Sequence, residues 1–173
     1  MGRKTTLLTT VGVACALAVP AGALETSTSP LGARGAGPAA KVKRQLLGSW
    51  RLVSFVVVDE QGTVIGRPYG REPAGKLTYT RAGDIWAHTG QAAPPRAARA
   101  ANWYTGTFSV DVRRRVVRHR VQYSSIAAWE GTTLLRRYHF AGSGRALTLV
   151  TLPEGPAGNK VRLVLRWRKM AWR

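Results

Sequence analysis

His119 stands in the segment Val116 to Tyr123, where Val117, His119, Val121 and Tyr123 alternate with Arg118, Arg120 and Gln122. A period of two puts the first set on one face of a strand and the cations on the other. An imidazole on an apolar face has two chemistries open to it. It can act as a general base that isomerises or cyclises an apolar substrate, or it can be a core group bonded to a tyrosine hydroxyl. Catalysis would need a carboxylate to orient the ring, and none is in phase, since Glu130 and Asp84 fall in loops or at strand ends. The structural role is preferred, and no catalytic residue is assigned.

Arg136 is the second such residue, in phase with Leu134, Tyr138 and Phe140. A guanidinium turned inward needs a partner, and a ligand carboxylate could be that partner. Slightly preferred is the plainer alternative, in which Arg136 points outward with Arg137 inside, or its charge is met by Tyr138 or a backbone carbonyl. The same phasing across the other strands gives an inward column of Tyr79, Tyr104, Phe108, His119, Tyr123, Arg136 and Tyr138, with Trp167 and Phe140 beside it. Aromatics with one or two cations suit a flat or long apolar ligand that carries an acid.

Other chemistries lack their residues. His88, His119 and His139 lie on separate strands without His-x-His or His-x-x-x-His spacing, so no metal is expected. No glycine-rich phosphate loop and no G-x-S-x-G nucleophile motif occurs, and no cofactor is expected. The chain's single cysteine is Cys15.

Cys15 falls in a segment with the features of an export leader. Arg3 and Lys4 precede an uncharged run from Leu7 to Val19, and Pro20 leads into Ala21-Gly22-Ala23, an A-x-A site. Residues 1–23 are therefore expected to be a cleaved signal peptide, and the domain to be secreted or otherwise extracytoplasmic. A retained anchor is the weaker alternative, because the apolar run is short for a bilayer. So is a lipid-modified Cys15, because Gly12-Val13-Ala14 lacks the large aliphatic residue such a box carries. Residues 24–40 are rich in Ser, Thr, Gly, Pro and Ala and read as a flexible linker.

The net charge is +19 over 173 residues, of which Arg3 and Lys4 carry two, leaving +17 on the mature chain. Such a surplus attracts polyanions, which permits weak association with acidic envelope polymers or an anionic membrane surface. Specific nucleic-acid binding is not expected. Binders of single strands set exposed aromatics among their cations on one face, whereas here the tyrosines alternate away from Arg113, Arg114, Arg115, Arg118 and Arg120. Those arginines read as a solvated outer wall.

The elements that must position the inward column begin with a short helix-compatible stretch, Ala39 to Leu47. Strand pattern then runs through Trp50–Val58, Lys76–Thr80, Ile85–Thr89, Trp103–Val110, Val116–Tyr123, Thr132–Phe140, Arg145–Leu152 and Val161–Trp167. Turn residues such as Asp59-Glu60-Gln61-Gly62 and Gly142-Ser143-Gly144 separate them. Gln91 to Asn102, with Pro94-Pro95, interrupts the meander, and Arg96 to Ala101 could form a turn of helix over the open end. One-sided alternation excludes a parallel α/β sheet, and closing the meander removes its two edges.

The order of motifs resembles the bacterial lipocalin-like domain family. Leu47-Gly48-Ser49-Trp50-Arg51 opens it, with the Gly-x-Trp that introduces the first strand of lipocalin-type barrels. Gly75-Lys76-Leu77-Thr78-Tyr79, Tyr104-Thr105-Gly106-Thr107-Phe108, Trp129-Glu130-Gly131, Arg136-Arg137-Tyr138 and Leu165-Arg166-Trp167 follow in order. The resemblance covers nearly all of residues 41–173 and implies an all-β fold: an antiparallel up-and-down eight-stranded barrel with a short N-terminal capping helix. It also implies a small apolar ligand in the cup. The family tends to close with Trp-x-Arg, whereas here Trp167 is followed by Arg168-Lys169, so the cation over Trp50 is expected to be Arg166, Arg168 or Lys169.

The expected function is that of an exported, monomeric lipocalin-like protein binding a small apolar or amphipathic, and in one form acidic, ligand. The alternatives are a barrel isomerase or cyclase using His119 or a tyrosine, and a basic protein binding envelope polymers.

Overall fold

The computed structural model describes residues 37–92 and 101–171. The expected signal peptide, Cys15, the linker up to residue 36 and most of the expected turn at Arg96 to Ala101 lie outside the described residues.

Helix α1 spans Pro38–Leu46. Pro38 occupies its first turn, where a missing N–H costs nothing, and Ala39, Ala40, Lys41 and Lys43 are good helix formers. Lys43 and Arg44 sit in the last turn, where cations favour the helix dipole. The helix therefore begins two residues before the expected linker ends. It stops at Gly48, whose φ of 105° is open to glycine at little cost, and strand β1 starts there.

Strand β1 covers Gly48–Val58, and β2, Val64–Gly66, adds a short edge to its far end. The remaining strands are β3 (Pro73–Tyr79), β4 (Asp84–Gln91), β5 (Ala101–Asp111), β6 (Val116–Ser124), β7 (Thr133–Ala141), β8 (Ala146–Thr151) and β9 (Arg162–Lys169). A single 3-10 turn, Ala127–Trp129, lies between β6 and β7. Each strand from β3 onward pairs antiparallel with the next, and β9 returns to β1, so eight strands close into a barrel. Gln91 and Ala101-Asn102, expected in the long loop, extend β4 and β5 instead and pair across the sheet as Thr89 with Asn102 and Gly90 with Ala101.

Two register shifts break strict alternation. One falls between Leu52 and Ser54 of β1 against β9, and leaves Val53 exposed. The other lies where Thr105 pairs with Tyr123 and Gly106 with Val121, so that Gln122 is the extra residue in β6. Gly106 belongs there because a Cβ would strike the backbone carbonyl of Arg120.

The end of the barrel beside α1 is sealed by Trp50, which is fully buried and donates from Nε1 to the Leu46 carbonyl at 2.8 Å. Of the three cations expected over this ring, Lys169 is the one in place. Its Nζ lies 4.4 Å from the Trp50 ring centroid and donates to the Gln45 carbonyl at 2.7 Å. The opposite end is covered by a residue that alternation does not single out. The connection after β2 folds Tyr69 inward, against Phe55 in an edge contact with centroids 4.9 Å apart. The Tyr69 hydroxyl accepts from Asn102 Nδ2 at 2.9 Å.

Candidate functional site

Between the Trp50 floor and the Tyr69 cover the core is almost wholly apolar; its buried polar residues are Thr151, which accepts from the Leu163 amide, and His119, which draws in two tyrosine hydroxyls. Strand β6 presents His119 inward with Val117 and Val121, and the ring is fully buried. Strand β3 ends by pointing Tyr79 at it, and β5 supplies Tyr104 from the opposite side. Tyr79 Oη lies 2.8 Å from Nε2 and Tyr104 Oη 2.8 Å from Nδ1. A neutral imidazole has one N–H and one lone pair. One tyrosine therefore donates to the ring and the other accepts from it, and both ring nitrogens are in use.

Burial sets the charge state of this trio. It holds His119 well below its ordinary pKa of 6.5, and the nearby Arg136 charge pushes in the same direction. Burial also raises the Tyr79 hydroxyl well above 10.0, with Tyr104 adding to the effect and Arg136 opposing it. Tyr104 is raised too, by burial against the pull of Arg136. All three groups are neutral at ordinary pH.

Arg136 is in the register the alternation assigns it, on the same face of β7 as the buried Tyr138, with exposed Arg137 on the other face. Its Nη1 donates to the Leu135 carbonyl at 3.0 Å, which meets part of its need. Among the described residues it has no carboxylate partner, since Arg118–Asp111 is the one ion pair there. A second donor is unmet: the buried indole N–H of Trp167 has no acceptor among the described residues.

The sequence-derived column is thus partly assembled. Tyr79, Tyr104 and His119 form one hydrogen-bonded unit, and Phe108 packs its edge on Tyr79 at 4.7 Å while Lys43 of α1 lies 5.5 Å from its centroid on the floor side. Tyr138 is buried but belongs to the closed end, 5.7 Å from Phe140, with its amide bonded to the Arg115 carbonyl and no hydrogen bond to His119. Tyr123 is a correction. The extra residue at Gln122 reverses the phase after Val121, and Tyr123 stands 66 % exposed on the outer wall. Exposed Tyr123 also overturns the expectation that the tyrosines lie on the face opposite the arginines, and Trp86 and Trp103 are exposed on the same wall near Lys76.

Sequence reasoning missed Tyr69. Its segment, Gly66 to Pro73, has no periodicity, and the signal available was an isolated aromatic between Pro68 and Gly70. The remaining histidines lie elsewhere: His88 stacks on Trp86 at 6.1 Å and His139 is exposed on β7.

A family model described as a lipocalin-like domain matches residues 47–170. No curated protein matches the chain.

Proposed function

The chain belongs to the lipocalin-like domain family, and from that premise we propose that its barrel holds a small apolar ligand carrying an acid group. The observation that supports this reading is the Arg136 guanidinium: it lies on the inward face of β7 in an apolar barrel and, among the described residues, has a single backbone carbonyl as its acceptor. A guanidinium has five N–H donors in a fork that fits a carboxylate. A carboxylate on Arg136 would complete its bonding, and the apolar body would lie among the aromatic side chains. The unmet Trp167 N–H favours a ligand bearing acceptors in the same way.

Two features favour binding over catalysis at this site. Both nitrogens of His119 are taken by tyrosines, so no free lone pair faces a substrate. The ring is fully buried and neutral, and among the described residues no carboxylate orients it as a base. Because Tyr69 covers the end opposite α1, a ligand is admitted by displacement of that side chain.

Titration of the full chain with oleic acid and with oleyl alcohol, followed by native mass spectrometry, tests the reading. The acid should bind at least tenfold more tightly, and Arg136→Gln should abolish the difference while sparing the alcohol. Failure of both compounds to bind, or an unchanged preference in the variant, would overturn it.

A further inference from the structure

The outer wall of β1, β3, β4, β5 and β6 takes no part in the lumen, yet its residues are not those of an ordinary solvated face. Register fixes one rung in which Arg51 stands opposite Lys76, Lys76 opposite His88, and His88 opposite Trp103. The neighbouring rung runs Ser49, Thr78, Trp86, Thr105, Tyr123. Trp86 is 42 % exposed and Trp103 40 %, and the extra residue at Gln122 is what brings Tyr123 onto the same face. An aromatic strip over β4 to β6 thus continues into a cationic strip over β3 and β1.

Among the described residues the cations have no ion-pair partner. Arg51 faces Lys76 on one side and Arg168 on the other, three like charges on neighbouring strands about 5 Å apart. Like charges directly opposite one another destabilise a sheet, and neither rung contains a carboxylate. This arrangement is stabilised when an anion lies across it.

We propose that this strip binds an anionic polysaccharide, with sugar rings stacked on Trp86 and Trp103 and acid groups held by Lys76 and Arg51. The hydroxyls of Thr105 and Tyr123 can each donate and accept, which suits sugar hydroxyls. The amide side chains that read base edges are absent from both rungs. Curvature argues against a membrane: Arg51 and Trp103 stand three strands apart on an eight-stranded barrel, so one plane cannot touch both. A flexible chain can follow that curve. The site is separate from the lumen and does not depend on what the lumen holds.

The test uses the full chain with polygalacturonate, neutral dextran, a dT20 oligonucleotide and phosphatidylglycerol vesicles. Trp86→Thr with Trp103→Thr changes no charge and keeps good strand formers on the wall. Thermal melting of the variant confirms that the barrel persists. The expected result is binding to polygalacturonate, with none to dextran. The double variant should weaken it at least tenfold, Lys76→Gln with Arg51→Gln should do the same, and Arg136→Gln should leave it unchanged. Neutralising Arg113 and Arg114 should have a much smaller effect. Absence of binding to polygalacturonate would overturn the proposal. So would preference for dT20 or vesicles, or a loss that follows total charge and ignores the tryptophans.

Discussion

Tyr79 Oη and His119 Nε2 lie 2.8 Å apart in the centre of the barrel, and the other nitrogen of the imidazole, Nδ1, is held in the same way by Tyr104. The unit is a set of hydrogen bonds satisfied internally, the condition under which buried polar groups cost little. Removing one hydroxyl leaves a ring nitrogen without a partner and without water. Tyr79→Phe and Tyr104→Phe should therefore each lower the unfolding free energy by about 1–3 kcal/mol, read by chemical denaturation. Combining them should cost less than the sum of the two, because both remove partners of one ring. Full additivity would show that the two bonds are independent.

The same unit sets a pH dependence. The folded-state pKa of His119 lies well below its ordinary 6.5, so between those two values the unfolded chain binds a proton that the folded chain does not. Stability should be complete above about pH 6.5 and fall as the pH drops toward the folded pKa. At the alkaline end the signs reverse. Tyr79 is raised well above 10.0, so stability should decline once the pH exceeds about 10 and unfolded tyrosines ionise first. Denaturation midpoints from pH 4 to 11 should trace both declines. His119→Phe should flatten the acid decline, and an acid decline identical in the variant would assign it to other groups.

Lys169 closes the barrel through two contacts at once, the Trp50 ring face and the Gln45 carbonyl. Burial lowers its pKa, a sign that the ammonium is partly withdrawn from water. Lys169→Met keeps most of the stem and removes the charge. It should cost about 1–2 kcal/mol from the lost cation–π contact and hydrogen bond. Trp50→Ala should cost about 3–5 kcal/mol, as a large buried aromatic. Thermal melts of the two variants should keep that order.

How much of this was legible in the sequence depends on whether a residue's place follows from period-two counting. Tyr79, Tyr104 and His119 sit on strands whose alternation is unbroken up to them, and the structure brings all three together. Tyr123 lies one residue beyond the extra Gln122, and counting carries it to the wrong face. Nothing in Val121-Gln122-Tyr123 marks that shift, which falls where Gly106 of the neighbouring strand closely approaches the Arg120 backbone. Tyr69 lies in an aperiodic connection, where only tertiary contacts with Phe55 and Asn102 decide its direction. Lys169 is one of three candidates within four residues, with Arg166 and Arg168, that sequence alone leaves equal.

Gly106 makes that reasoning testable. A methyl group at this position meets the Arg120 backbone, which cannot yield as a flexible side chain would. Gly106→Ala should therefore force β5 and β6 apart or shift their pairing, with a loss of several kcal/mol in unfolding free energy. Hydrogen exchange should show the Gly106 to Val121 rungs losing protection first. An alanine variant of undiminished stability would show that the two strands can pair at another spacing.

Tyr69 gives the most direct test of the proposed ligand route. Its ring covers Phe55, and its hydroxyl takes one hydrogen bond from Asn102 and a longer one from Thr89 at 3.4 Å. The surrounding connection between β2 and β3 has no strand pairing of its own to hold it, so these contacts set how firmly the cover sits. Tyr69→Phe removes the hydroxyl alone and should speed association of an apolar fluorophore such as anilinonaphthalene sulfonate, with little change in the dissociation constant. Tyr69→Ala removes the cover and should speed association and dissociation together, by about tenfold or more for the loss of roughly 1.4 kcal/mol or more from the closed state. Stopped-flow mixing reads both rates, and the alanine variant should exceed the phenylalanine one in each. If neither substitution alters either rate, the ligand route runs elsewhere and the Tyr69 side chain is only part of the core.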